Sequence, residues 1–230
     1  MGGNRVEIVK IPEIIYEDNH LLVVVKPHGI PVQKNFSDSD DDFQTILKNY
    51  LKQKYDKPGN VFLGIVHRLD QPVGGVMVFA KTSKAASRLS EQIRLNQWKK
   101  CYLAVVDGVP KQKTGVLEDW LVKNGEKNEV CVSKKGDPKA KFARLSYETL
   151  KSNNGRSLLK ITLETGRAHQ IRVQLSSRGL PIANDHKYNK NSKNIADIAL
   201  WAYSVEIIHP VTKEKLVFSK EMPESMKKLI

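Results

Sequence analysis

The chain has 230 residues, of which 40% are apolar and 27% charged. That suffices for a buried core in one large domain or two small ones, and it excludes a generally disordered polymer. Thirty-eight Lys and Arg against 25 Asp and Glu give a net charge of +13, which favours a polyanionic partner over an acidic one.

Two cysteines, Cys101 and Cys131, form no Cys-x-x-Cys pair, so a reduced, cytoplasmic protein is expected. No secretory apolar segment follows Met1. Gly2 is not followed by Ser or Thr at position 6, which is Val6, so the myristoylation pattern fails. Leu21 to Val25 is too short to span a bilayer.

Tyr16 to His20 reads as a turn, and Leu21 to Lys26 as a short buried strand closed by Pro27. The alternating aspartates of Ser37 to Asp42 resemble a calcium loop only superficially. Phe43 stands where that loop needs Gly, and Asn49 where it needs Glu. They suit instead a loop leading into a helix over Phe43 to Lys54, whose N-terminus favours negative charge. Val61 to Val66 and Val76 to Lys81 are apolar, strand-like runs. Ser83 to Asn96 carries Ala86, Leu89 and Ile93 at helical spacing. Lys100 to Val106 is a strand. From Gly115 to Leu163 the pattern is strand-like, broken by turn signals at Lys123-Asn124-Gly125, Lys135 to Pro138 and Asn153-Asn154-Gly155. Ala168 to Arg178 reads as a helix ended by Gly179 and Pro181. Strands over Ala199 to Ile208 and Lys215 to Phe218 follow, then a closing helix over Pro223 to Ile230. Strands and helices mix without β-α-β alternation, which makes the class α+β. No linker divides the chain, so residues 1–230 are expected to form one catalytic domain, and a monomer is the default.

Positive charge is clustered as well as high. From Lys81 to Lys100 the ionisable residues are Lys81, Lys84, Arg88, Arg94, Lys99 and Lys100 against only Glu91. Such a surface would neutralise phosphates and release counterions, which points to nucleic acid.

Two polar clusters stand out. His67-Arg68-Leu69-Asp70 lies on a Pro- and Gly-rich connection between apolar runs, where chemistry is often carried. Arg68 could hold Asp70 ionised, as a nucleophile or acceptor should be; a surface Arg–Asp pair at a turn is the plain alternative. Glu164 to Arg172 joins a strand to a helix and brings Arg167, His169 and Arg172 near a helix start. Its plain alternative is a helix start with solvated basic residues. A partly buried Arg172 needs a carboxylate, and Asp70 is a natural partner. Tyr102, on a strand, reads first as packing. There is no Walker loop or dinucleotide fingerprint, no metal-ligand spacing, no nucleophile elbow and no second carboxylate in a chemical setting. A reaction with one carboxylate and no cofactor or metal remains.

Together these motifs resemble the RluA-type family of RNA pseudouridine synthases. The likeness runs from about Ile14 to Phe218. It is carried by Tyr16-Glu17-Asp18 with Leu22 to Gly29, His67-Arg68-Leu69-Asp70, Tyr102 to Gly108, Thr165 to Val173, and Lys187-Tyr188. The resemblance implies a mostly antiparallel central sheet cut by an active-site cleft, with flanking helices. It implies conversion of uridine to pseudouridine in structured RNA, ribosomal or transfer, without cofactor or metal. Asp70 is similar to the catalytic aspartate, Tyr102 to the tyrosine that stacks on the target base, and Arg172 to the basic residue paired with the aspartate. Arg68 is similar to the arginine holding the extruded nucleotide. His67, Arg167, His169 and Gln170 belong to the same motifs and are expected to bind substrate. The pattern departs at Val73-Gly74-Gly75, Gln174, Asn184 and Trp201, and an S4 RNA-binding module is not expected.

The mechanism implied begins with capture of RNA through phosphates and extrusion of a uridine into the cleft. Asp70 then starts cleavage of the N-glycosidic bond, by attack on the ribose, attack on the base or removal of a ribose proton. The freed base turns against Tyr102 and rejoins through carbon. A non-catalytic RNA-binding factor on the same fold and a nucleoside-processing hydrolase are the rivals.

Overall fold

The structure is a computed structural model that describes residues 12–33, 42–125, 128–192 and 196–230. The aspartate-rich segment before Asp42 lies outside the described residues.

The N-terminal half is built on β1 (Glu13–Glu17), β2 (Leu21–Lys26), the two-residue β3 (Gly64–Ile65) and β4 (Gly74–Ala80). β2 and β4 pair antiparallel, Val23 opposite Val78. Their apolar runs are continuous because both faces are covered. Leu22, Val24, Met77 and Phe79 pack with Phe43, Leu47 and Leu51 of α1 (Phe43–Lys54). Leu21, Val23, Val76 and Val78 pack with Ala85 and Leu89 of α2 (Ser83–Arg94) and with Trp98. Strand side chains alternate between faces, so one run feeds two cores. Each helix starts on a side-chain cap: Asp42 accepts from the Thr45 N–H at 2.7 Å and Thr82 from the Ala85 N–H at 3.1 Å.

The C-terminal half is an antiparallel array of β5 (Lys99–Asp107), β6 (Thr114–Asn124), β7 (Glu129–Ser133), β8 (Lys141–Asn153) and β9 (Arg156–Leu163), with β10 (Leu200–Ile208) and β11 (Lys215–Ser219). The order β1-β2-β4-β10-β5-β9-β8-β6-β7 makes one sheet, to which β3 and β11 add at the side. Among its pairings only β4–β10 is parallel, and it is two residues long, Trp201 with Gly74 and Ala202 with Gly75. The halves therefore meet at a narrow waist. Gly75 has φ +124°, and a Cβ there would lie 2.3 Å from the Ala202 carbonyl oxygen; a Cβ on Gly74 would strike the Trp201 ring at 2.5 Å. Only glycine lets the two strands approach this closely.

The α+β class and the antiparallel sheet match the expectation from sequence. Several boundaries differ. Of the run Val61 to Val66 only Gly64–Ile65 is strand, and the helix from Ser83 ends at Arg94. Tyr16 and Glu17 belong to β1, paired with Val23 and Leu22, and the turn is confined to Asp18–His20. The third helix, α3, covers Gln170–Ser176 only, because His169 is left-handed at φ +50°. The closing helix α4 is Glu224–Lys227. No helix among the described residues is long and apolar enough to cross a membrane.

Candidate active site

Asp70 sits on the loop between β3 and β4, and that loop is bolted to the end of β2. Lys26 is fully buried and its Nζ donates to the carbonyls of Pro27 (2.9 Å), Gln71 (3.0 Å) and Val73 (2.8 Å). The Gly29 N–H also donates to the Gln71 carbonyl at 3.1 Å, and the Val73 N–H closes a turn onto the Asp70 carbonyl at 3.0 Å. Burial pushes the Lys26 ammonium down to about 7, while Asp70 acts to raise it.

The Asp70 side chain is 28% exposed and faces Arg172, whose Nη1 donates to its Oδ2 at 3.1 Å. Arg172 is itself aimed by Asp185, a completely buried carboxylate. Nε donates to Asp185 Oδ2 at 2.9 Å and Nη2 to Oδ1 at 2.7 Å. Burial works against the Arg172 charge, but the Asp185 and Asp70 carboxylates outweigh it and raise the group above its ordinary value. A guanidinium held bidentately along its Nε–Nη2 edge presents the remaining nitrogen, Nη1, in one direction. Its plane also lies over the Tyr188 ring at 5.0 Å.

His169 approaches the same carboxylate, its Nε2 3.9 Å from Asp70 Oδ2. The Tyr188 hydroxyl accepts from the Val130 N–H at 2.8 Å and shares a 2.7 Å hydrogen bond with His169 Nδ1, which holds the ring with its Nε2 toward Asp70. Burial lowers the His169 value below 6.5 against the opposing pull of Asp70.

Tyr102 projects from β5 into the cleft and is 9% exposed. Burial first, then Asp70, raises its phenol, so it stays protonated. Asp70, Arg68, Arg167, His169 and Arg172 are shared by two lobes. One, of about 520 Å³, holds Tyr102, Lys100 and Leu200. The other, of about 690 Å³, opens toward Lys123, His186 and Lys187.

The remaining site residues divide. Arg68 is exposed at the cleft and forms no ion pair with Asp70, which corrects the expected Arg68–Asp70 interaction: Arg172 takes that place. Arg167 is exposed at the same mouth, its Nε bonded to the Phe142 carbonyl at 2.8 Å. His67 and Gln170 line the smaller lobe and are also tied to the backbone around it. His67 Nε2 accepts the Val78 N–H at 3.0 Å, and burial drives the imidazole to about 3. Gln170 accepts from the Arg167 N–H (3.0 Å) and donates to the Arg144 carbonyl (3.0 Å). The basic stripe of Lys81 to Lys100 is also partly spent. Lys81 pairs with Glu17, Arg94 with Glu91, and Arg88 donates to the Pro210 carbonyl. Read from the sequence, Asp185 has no role, Lys26 stands at the end of a strand and Lys100 belongs to the basic stripe. The only signal for Asp185 was that a buried arginine demands a carboxylate, and Asp70 already answered it.

The positions that depart from the family pattern are divided. Val73 belongs to the Asp70 loop, its N–H on the Asp70 carbonyl at 3.0 Å, and Asn184, left-handed at φ +60°, lines the larger lobe. Gln174 ties α3 to β6 through Asp119 (2.7 Å), and Trp201 Nε1 donates to the Lys220 carbonyl (2.9 Å). Among the described residues no group of three or more His, Cys, Asp or Glu is placed to hold a metal ion.

A family model described as RNA pseudouridylate synthase matches residues 20–177. The uncharacterized RNA pseudouridine synthase YhcT of Bacillus subtilis is 34% identical over 221 residues, which cover 94% of this chain and 70% of that protein. The ribosomal large subunit pseudouridine synthase D of Nitrosomonas europaea is 33% identical over 228 residues, 95% of this chain and 64% of its own length. In fold, the chain is similar to human RNA pseudouridylate synthase domain containing 4, with a TM-score of 0.78 at 24% identity, covering 94% of this chain and 90% of the other.

Proposed function

This chain belongs to the RluA-type RNA pseudouridine synthases, enzymes that isomerise uridine in RNA, and from that premise we propose that Asp70 is its catalytic carboxylate. One observation carries the assignment: Asp70 stands where both lobes of the cleft meet, with a buried arginine fixed against it by a second, fully buried aspartate. A binding protein has no use for a carboxylate at the centre of a basic groove meant for a polyanion; a positioned anion is what cleavage of a glycosidic bond requires.

The isomerisation needs no external reactant. The C1′–N1 bond breaks, a C5–C1′ bond forms, the C5 proton leaves and N1 takes up a proton. A base still stacked in a helix cannot be reached, so the target uridine is unstacked and enters the Tyr102 lobe. There the phenol ring offers a face on which the freed base turns. Arg172 balances the Asp70 charge without leaving its own site. Arg68 and Arg167, exposed at the mouth, meet the phosphates flanking the target. The names of the relatives make large-subunit ribosomal RNA the first substrate to try, with transfer RNA as the other. The continuous sheet supports reading the chain as one catalytic domain.

Asp70→Asn keeps the shape and removes the anion. The variant is expected to fold and bind RNA as the wild type does, yet form pseudouridine about 10⁴-fold more slowly. Pseudouridine mapping on unmodified ribosomal and transfer RNA transcripts checks this, and wild-type levels of product from the variant would refute the role of Asp70.

A further inference from the structure

We infer that Lys100 contacts the target base, its ammonium donating to a carbonyl oxygen of the uracil held against Tyr102. The inference rests on the synthase reading above and adds a residue to it.

Strand geometry gives the placement. Lys100 and Tyr102 are two apart on β5, so they share a face and stand about 7 Å apart along it. Both line the smaller lobe of the cleft. Lys99 and Cys101, the alternating residues, line a groove on the other side of the sheet.

Lys100 is half-buried at the cleft and lacks partners of the kind that the fully buried Lys26 has in three carbonyls. Among the described residues the Lys100 ammonium has neither a hydrogen bond nor an ion pair. Burial lowers its value, with no carboxylate acting to restore it. The nearby imidazole, His67, is neutral and occupied with Val78. Space is nevertheless kept for the ammonium. A Cβ on Gly166 would approach Lys100 Nζ to 3.2 Å, and Nζ is the sole atom that Cβ would meet within 4 Å.

A half-buried cation with no protein partner keeps its donors free inside the cleft, and an incoming oxygen satisfies them at little further desolvation. Phosphates are met by the exposed arginines at the mouth; Lys100 lies further in, beside Tyr102, where the base goes. The benefit to the reaction is differential. As C1′–N1 breaks, its electron pair passes to N1 and spreads onto O2 and O4. An ammonium on one of those oxygens stabilises the charge while it exists and releases it when C5 bonds to C1′, the C5 proton departs and N1 is protonated.

The test uses the full chain with a mixture of unmodified ribosomal and transfer RNA transcripts carrying 5-tritiated uridine, since each turnover releases the C5 proton. Single-turnover rates at saturating enzyme are compared with RNA dissociation constants from filter binding. Lys100→Met is expected to slow tritium release about 100-fold while the dissociation constant changes less than about 3-fold. Lys100→Arg should recover part of the rate. Thermal melting separates a folding defect from a chemical one: removing an unpaired, half-buried charge should leave the melting temperature unchanged or higher. Gly166→Ala, which displaces the ammonium without deleting it, should slow the wild type yet add nothing to Lys100→Met. A Lys100→Met rate near wild type overturns the inference alone. Weakened binding with an unchanged saturating rate also overturns it, in favour of a phosphate contact. Absence of tritium release by the wild type overturns the synthase reading, and the inference with it.

Discussion

His169 shows how one backbone dihedral sets chemistry. At φ +50° its ring is turned toward Asp70, a conformation Asn also tolerates. Its Nε2 faces the carboxylate while Tyr188 holds Nδ1, with Arg172, Lys187 and Asp185 as the other charged neighbours. Burial depresses the imidazole, so it is neutral at pH 7 and charges only on the acid side of 6.5. An imidazolium 3.9 Å away would take up the Asp70 anion. Activity is therefore expected to decline with falling pH through a midpoint below 6.5, and His169→Asn should remove or displace that limb. A pH–rate profile for the two proteins checks it; superimposable acid limbs would show that His169 does not titrate in the reaction. At the same scale, Asp70 and Arg172 stood out in the sequence as a carboxylate and a basic residue that needs one, whereas Tyr102 read first as packing. His67 and Gln170 line the cleft while also bonding backbone groups, a double placement that no spacing reveals.

Among the elements, the loop carrying Asp70 is the one that matters most. It contains little regular structure and is held chiefly by a side chain from another strand. Lys26 gathers the carbonyls of Pro27, Gln71 and Val73 into one point. Lys26→Met would fill a similar volume but leave carbonyls unsatisfied. The loss is offset in part because the buried charge also disappears. A net destabilisation of about 2 kcal/mol is expected, together with a lower rate as Asp70 loosens from Arg172. Denaturant unfolding and single-turnover kinetics measure the two; unchanged stability and rate would mean the loop is fixed by other contacts. The strand β1 was read as a turn because Tyr16-Glu17-Asp18-Asn19-His20 is polar. It pairs with β2 on one side only and its residues are half-buried, so its sequence lacks the apolar run of an interior strand. The helix α3 was read too long because nothing in Ala168-His169 announces a left-handed residue.

Over the whole molecule, some of the basic residues are held in ion pairs that join elements of the fold while the net excess of +13 remains. Glu17 draws in Lys54 and Lys81, each at 2.7 Å, and the Tyr55 hydroxyl at 2.7 Å, joining β1 to α1 and to the end of β4. Burial alone would raise its carboxyl, but those three hydrogen bonds prevail and bring it to about 2 from 4.5. A depressed carboxyl contributes stability that is complete above pH 4.5 and lost as pH falls through about 2. Lys54 is 43% exposed, so solvent screening leaves about 1–2 kcal/mol of this. Acid titration followed by circular dichroism should show Glu17→Gln less stable at neutral pH and flatter between pH 4.5 and 2. A parallel loss in both proteins would count against the Glu17 cluster.

The sequence by itself determined the class of fold, the antiparallel C-terminal half and the reaction family, and it singled out Asp70 as the candidate carboxylate. Those rest on local periodicity, turn chemistry and short motifs, all of which are written along one stretch of chain. Tertiary structure alone decided that Asp185 grips Arg172, that Lys26 anchors the loop and that Lys100 is left without a partner. Each of these is a relation between a charge and its surroundings. Burial and partner geometry arise only when strands distant in sequence are laid side by side, and a one-dimensional pattern does not contain them.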